Sequence, residues 1–147
     1  MYKSILVPLD GSTRAEKIIS HVKKLAQCTG AKVILLQVIV PVYYMIDPQV
    51  SYVNINIEET QWRIDEAGKY LVKIAEAFTE KKIKVETCVE QGPVVETIID
   101  IARAKDVSLI ALASHGRSGL GQVFYGSVAA GILQRVDRPL LVVRSRE

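Results

Sequence analysis

Apolar residues alternate along the chain between short unbroken runs and stripes at helical spacing. Ser4 to Leu9 is a run of the first kind and ends at Asp10-Gly11-Ser12-Thr13. Ile18, Ile19, Val22, Leu25 and Ala26 then recur every three or four residues until Thr29-Gly30, which predicts a strand, a turn and a helix with one buried face. Thr13 and Glu16 have the spacing of a capping box at the helix start. Val33 to Val40 is apolar on both faces except at Gln37, as expected of a strand buried on both sides. Pro41 to about Asn56 is a longer connection carrying Tyr43, Tyr44, Met45, Asp47-Pro48 and Tyr52, aromatic for a loop and suited to covering the domain or a partner subunit. A second helix is predicted from Ile57 to Glu80, with Trp62 near its start and an inward stripe of Ala67, Leu71, Ile74, Ala75 and Phe78.

Lys84 to Val89 is a third strand, more polar than the others, as expected at a sheet edge. Gly92-Pro93 opens a third helix, since proline suits a first helical position, and Val94, Val95, Ile98, Ile99 and Ala102 form its inward face. Val107 to Ala113 is the fourth strand, Ser127 to about Val136 the last helix and Leu140 to Val143 the last strand. Gly131 inside that helix implies close packing against the sheet. Strands alternating with helices, without repeats or linkers, predict one α/β domain over residues 1–147, in which a five-stranded parallel sheet carries helices on both faces in three layers. Ligands of such sheets sit at the carboxyl ends of the strands where the winding direction reverses. With the first and fourth strands adjacent there, Asp10 and the segment after the fourth strand line one crevice.

That segment is Ala113-Ser114-His115-Gly116-Arg117-Ser118-Gly119-Leu120-Gly121, followed after four residues by Gly126-Ser127. A glycine-rich loop between a strand and a helix exposes several backbone N–H groups, and the helix dipole favours negative charge at the same place. An anion is the expected guest. His115 has no second His, Cys or acidic partner nearby in sequence, so a loop hydrogen bond accounts for it better than acid–base chemistry does. Asp10 reads equally as a turn residue that accepts N–H groups of Gly11 and Ser12.

Composition narrows the classes without choosing among them. The chain has 147 residues, 49% hydrophobic and 24% charged, enough to bury roughly 70% of its unfolded surface in one core. The net charge of +3 helps an anion approach, but the basic residues are interspersed with Glu and Asp, which argues against a nucleic-acid surface. Cys28 and Cys88 lack metal-site spacing and read as buried thiols. Met1-Tyr2-Lys3 leads directly into the first strand and no apolar stretch approaches a membrane span, so the expected location is the cytoplasm, with no signal peptide and no membrane partner.

Together these landmarks resemble the universal stress protein family from Tyr2 to Arg144. Ile5-Leu6-Val7-Pro8-Leu9-Asp10-Gly11-Ser12 is similar to the family's opening strand and turn, Val33 to Ile39 to its second strand, Gly92-Pro93 to the start of its third helix, and Arg138-Pro139-Leu140-Leu141-Val142-Val143 to its closing strand. The resemblance implies a Rossmann-like fold of the adenine nucleotide alpha hydrolase type. ATP-binding members carry Gly, two residues, Gly, nine residues, then Gly and Ser or Thr. Here Gly116, Gly126 and Ser127 match in frame, and Ala113 stands in place of the first glycine. If that position needs positive φ, alanine strains it by about 1–2 kcal/mol; if glycine serves only close approach, one methyl is tolerable.

The resemblance further implies ATP, AMP or ADP lying across the strand ends. Pro8, Leu9 and Asp10 would face adenine and ribose, with Asp10 accepting sugar hydroxyls, and Val38 would pack on the adenine. Ala113, Gly116, Gly126, Ser127 and Val128 would surround ribose and phosphates, Ser127 both capping its helix and donating to a phosphate; Arg117 and Ser118 would reach the outer phosphates, and Leu112 and His115 complete the set. A Mg²⁺ ion would accompany the nucleotide, held mainly by phosphate and water rather than by protein ligands. The family also implies a homodimer through the last strand.

The function expected from this is a nucleotide-binding regulatory module acting in the stress response through an unidentified protein partner. A slow ATPase or transferase is the enzyme alternative, but no Walker ending and no catalytic residue is evident. A dimerisation module that binds no nucleotide is the third, favoured by Ala113 alone. A phosphorelay receiver would need an acidic pair after the first strand and an Asp after the third; only Asp10 and Glu90 stand there.

Overall fold

The computed structural model describes residues 1–41, 53–116 and 126–146. The strands are β1 (Ser4–Pro8), β2 (Lys32–Ile39), β3 (Val85–Gln91), β4 (Leu109–Gly116) and β5 (Leu140–Arg146). The helices are α1 (Ile19–Thr29), α2 (Val53–Thr79), α3 (Val94–Ala104) and α4 (Ser127–Arg135). All strands run parallel in the order β3-β2-β1-β4-β5. The polar β3 occupies one edge, as its composition predicts, and β5 the other. On β3, Glu86 takes ion pairs from Lys32 and Lys105, so that edge carries charge.

Alternation of side chains along the strands splits the core into two layers, one on each face of the sheet. Ile5, Val7, Val33, Leu35 and Ala111 pack against Val22 and Ala26 of α1 and Leu71 and Phe78 of α2. Leu6, Ile34, Leu36, Ile110 and Leu112 pack against Ile98, Ile99 and Ala102 of α3 and Ala129 and Ile132 of α4. Phe78, Leu71, Ile98 and Ile132 are fully enclosed, and each such side chain stabilises the fold by about 1.5–3 kcal/mol relative to exposure.

The winding direction reverses between β1 and β4. Among the described residues these two strands pair only at Ile5–Leu109 and Leu6–Ile110, whereas β4 pairs with β5 from Ile110–Leu140 to Gly116–Arg146. Beyond Leu6 the two strands therefore part. The chain leaving β1 stays with β2 instead, where the Leu9 N–H donates to the Leu36 carbonyl at 2.8 Å.

Local details depart from the sequence expectations. The chain after β1 enters a 3-10 turn at Ala15–Ile18 before α1, and no side chain caps the turn from its N-cap residue Arg14. Ser12 supplies the acceptor instead of Thr13: its hydroxyl receives the Ala15 N–H at 3.1 Å. The tighter i to i+3 spacing of the turn suits that reach. Pro93 is the N-cap of α3 with an extended backbone, not its first helical residue. A Cβ on Gly131 would lie 2.8 Å from Val95 Cγ2, so this glycine admits helix α3 rather than the sheet. Cys28 is exposed, because it lies on the outer face of α1. Cys88 is half-buried, and burial together with the Glu90 carboxylate pushes its thiol up to about 11. The aromatic residues Tyr43, Tyr44, Met45 and Tyr52 lie outside the described residues.

Candidate functional site

A cavity of about 300 Å³ opens where β1 and β4 part, at the carboxyl end of the sheet. Pro8, Leu9 and Asp10 enter from the end of β1, Val38 from β2, Leu112 and Ala113 from β4, and Gly126, Ser127 and Val128 from the start of α4. Nine of the residues singled out from the sequence thus meet in one place. Gly116 closes β4 opposite Arg146. The side chain of His115, and Arg117 and Ser118 altogether, lie outside the described residues.

One wall is apolar. Val38, Leu112, Val128, Val94, Ile98 and Ala129 line it and continue into the core beneath α3 and α4. That surface suits the flat face of an aromatic base, with the polar groups at the two helix starts and at Ser114 on β4.

At the first helix start, Asp10 is held from several directions. Its Oδ1 accepts the Ser12 N–H at 2.9 Å and the Ser12 hydroxyl at 2.5 Å, and its Oδ2 accepts Arg14 Nη2 at 3.3 Å. Partial burial alone would raise the Asp10 pKa, but the Ser12 hydroxyl and N–H and the Arg14 guanidinium outweigh it and hold the carboxyl below its ordinary value. Asp10 is therefore a turn residue, yet it stands on the cavity wall as well.

The start of α4 is built in the opposite way. Gly126 is the N-cap, at φ 74° and ψ 151°, and no side chain among the described residues caps the helix; Ser127, expected to cap, is the first helical residue. The first intrahelical bond runs from the Ala130 N–H to the Gly126 carbonyl at 3.0 Å, so the N–H groups of Ser127, Val128 and Ala129 receive no partner from the helix itself. This backbone conformation belongs almost solely to glycine. Beside it lies Ser114, a cavity-lining residue 2% exposed, whose buried hydroxyl has no hydrogen-bond partner among the described residues. A buried unpaired hydroxyl costs about 1–3 kcal/mol, which a ligand oxygen entering the cavity would recover.

Ala113 settles the question its methyl raises. It pairs with Val143 inside the β4–β5 ladder, and the non-glycine residues with positive φ are Lys82 and Asp106 among the described residues. Its backbone is strand-like and unstrained.

Arg14, Ala15, Val94, Ile98, Ser114 and Ala129 also line the cavity but escape sequence reasoning. Ser114 lies inside the glycine-rich segment and was within reach of it. Arg14 gave no signal, because only the turn after β1 swings it over the crevice. Among the described residues no group of three His, Cys, Asp or Glu side chains is placed to hold a metal ion, and no helix is long and apolar enough to cross a membrane.

Comparison with known proteins accords with this geometry. A model of the universal stress protein family matches residues 1–144. The chain belongs to that family. Universal stress protein MJ0577 of Methanocaldococcus jannaschii is 29% identical over 157 aligned positions, covering 99% of this chain and 97% of the relative. Its solved structure aligns with TM-score 0.85 at 30% identity, over 100% of this chain and 99% of the other. A universal stress protein in complex with cAMP aligns with TM-score 0.63 at 19% identity, over 99% and 98% of the two chains. One from Archaeoglobus fulgidus in complex with dAMP aligns with TM-score 0.66 at 18% identity, over 96% and 97%. At that identity the last two likenesses speak for the fold.

Proposed function

We propose that this universal stress protein binds an adenine nucleotide in the β1–β4 crevice and acts as a regulatory module whose occupancy a protein partner reads. The observation that carries the reading is that one cavity wall joins the α4 start to Ser114, whose buried hydroxyl, like that helix start, has no side-chain partner among the described residues. Backbone N–H groups at a helix start favour phosphate. Adenine lies on Val38 and Leu112 with Pro8 and Leu9 at its edge, ribose beside Asp10, and phosphates against Gly126, Ser127 and Val128. The complexes of related folds with cAMP and dAMP support the choice of adenine. Mg²⁺, where present, rests on the phosphates and water.

In this reading the protein holds its nucleotide rather than consuming it, and a second copy pairs along β5. That strand is an edge whose Leu140 to Val143 are apolar and half-buried, a surface that invites another strand. Calorimetry with ATP and GTP tests the nucleotide reading. ATP is expected to bind more tightly, because the cavity wall is apolar where a guanine amine needs an acceptor; equal affinity, or none for either, rejects it. Light scattering is expected to report twice the chain mass, and Val142→Pro to halve it.

A further inference from the structure

Asp10 has fewer free hydrogen-bond positions than a carboxylate in open water. An ionised carboxylate offers about four lone-pair sites, two on each oxygen. Both sites of Oδ1 are taken, one by the Ser12 N–H at 2.9 Å and one by the Ser12 hydroxyl at 2.5 Å. The Ser12 hydroxyl is itself fixed, since its oxygen accepts the Ala15 N–H at 3.1 Å, so Oδ1 closes a relay from the helix start and is not released cheaply. One site of Oδ2 is taken by Arg14 Nη2 at 3.3 Å. A single site on Oδ2 remains.

A ribose presents two neighbouring hydroxyls. We infer that Arg14 limits Asp10 to reading one ribose hydroxyl at a time, so that the site accepts ribose and either monodeoxyribose almost equally. This rests on the nucleotide reading above. Arg14 lines the same cavity as Asp10 and its side chain is 28% exposed, so it stands at the sugar's edge and acts through the carboxylate. It is a positioning residue. When either hydroxyl is missing, the other still fills the one open acceptor site. When Arg14 is removed, Oδ2 takes both hydroxyls and the loss of either is felt.

The test is calorimetry with ATP, 2′-deoxy-ATP and 3′-deoxy-ATP on the wild type, Arg14→Met and Arg14→Lys. The wild type is expected to bind all three within about 3-fold, less than the loss of a full hydrogen bond to a charged group. Arg14→Met is expected to bind each deoxy analogue about 10-fold more weakly than ATP, the smallest effect of losing such a bond. Arg14→Lys, which retains a donor to Asp10, is expected to restore the wild-type pattern and serves if the methionine variant folds poorly. Wild-type losses of about 10-fold on both analogues overturn the inference, as do Arg14→Met ratios equal to those of the wild type. If ATP itself fails to bind the wild type, the nucleotide reading falls and this inference with it.

Discussion

Two helix starts face each other across the crevice, and they solve the same problem in opposite ways. The turn leading into α1 satisfies itself: Ser12 receives the Ala15 N–H and passes its own proton toward Asp10, which Arg14 holds from the other side. At the start of α4, Gly126 brings no side chain, and no side-chain cap bond forms among the described residues. The first arrangement fixes an acceptor in place before any ligand arrives. The second leaves backbone N–H groups without a partner in the helix beside Ser114, whose hydroxyl is unpaired among the described residues. On the proposed reading, a nucleoside phosphate brings hydroxyls to the first and negative charge to the second.

The comparison breaks most severely at Gly126. Gly126→Val places a branched side chain at φ 74° and fills the approach to the first N–H groups of α4. Nucleotide affinity is expected to fall about 100-fold or more, with about 1–3 kcal/mol lost from stability through backbone strain, as read by calorimetry and thermal melting. Unchanged affinity would mean that the α4 start plays no part in binding.

Ser114→Ala sharpens the contrast by separating binding from folding. Removing a buried hydroxyl that has no partner among the described residues is expected to leave the free protein as stable as before or more so, while ATP affinity falls about 10-fold. Equal losses in urea midpoint and affinity would instead assign Ser114 a structural bond.

On the capped side the effects are on stability. Ser12→Ala removes both the acceptor for Ala15 and a donor to Asp10, at about 1 kcal/mol in urea unfolding. The folded Asp10 pKa lies below its ordinary value, so its contribution is complete above the unfolded pKa and is lost as pH falls through the folded one. The wild type is therefore expected to lose more stability than Ser12→Ala when the pH is lowered below about 4. Parallel pH profiles would place the carboxylate's support elsewhere.

The smallest effect is expected at Ala113. Because its backbone is strand-like, Ala113→Gly relieves no strain, and ATP affinity should change by less than about 3-fold while stability drops by about 0.5–1 kcal/mol from the added backbone freedom. A large gain in affinity would show that the methyl itself obstructs the ligand.

Much of this was legible in the sequence because it depends on periodicity. The buried run Val33 to Val40 and the stripe through Leu71 and Phe78 announce a double-faced strand and a one-faced helix, since burial on two faces or one is written directly into which positions are apolar. The segment from Ala113 to Ser127 led to the expectation of an anion site for a related reason: glycines and hydroxyls between a strand and a helix suit one. Tertiary structure decided what depends on direction and on neighbours distant in the chain. Ser12, not Thr13, serves the first turn because the chain leaving β1 stays with β2 and brings Ser12 over Ala15. Arg14 reaches the cavity because β1 and β4 part after Leu6. Cys28 faces outward and Gly131 meets Val95 because the angle at which a helix lies on its neighbours is set by packing. Composition and spacing carry the elements of this universal stress protein; which polar atoms are satisfied, and which are left for a ligand, emerges only when those elements meet.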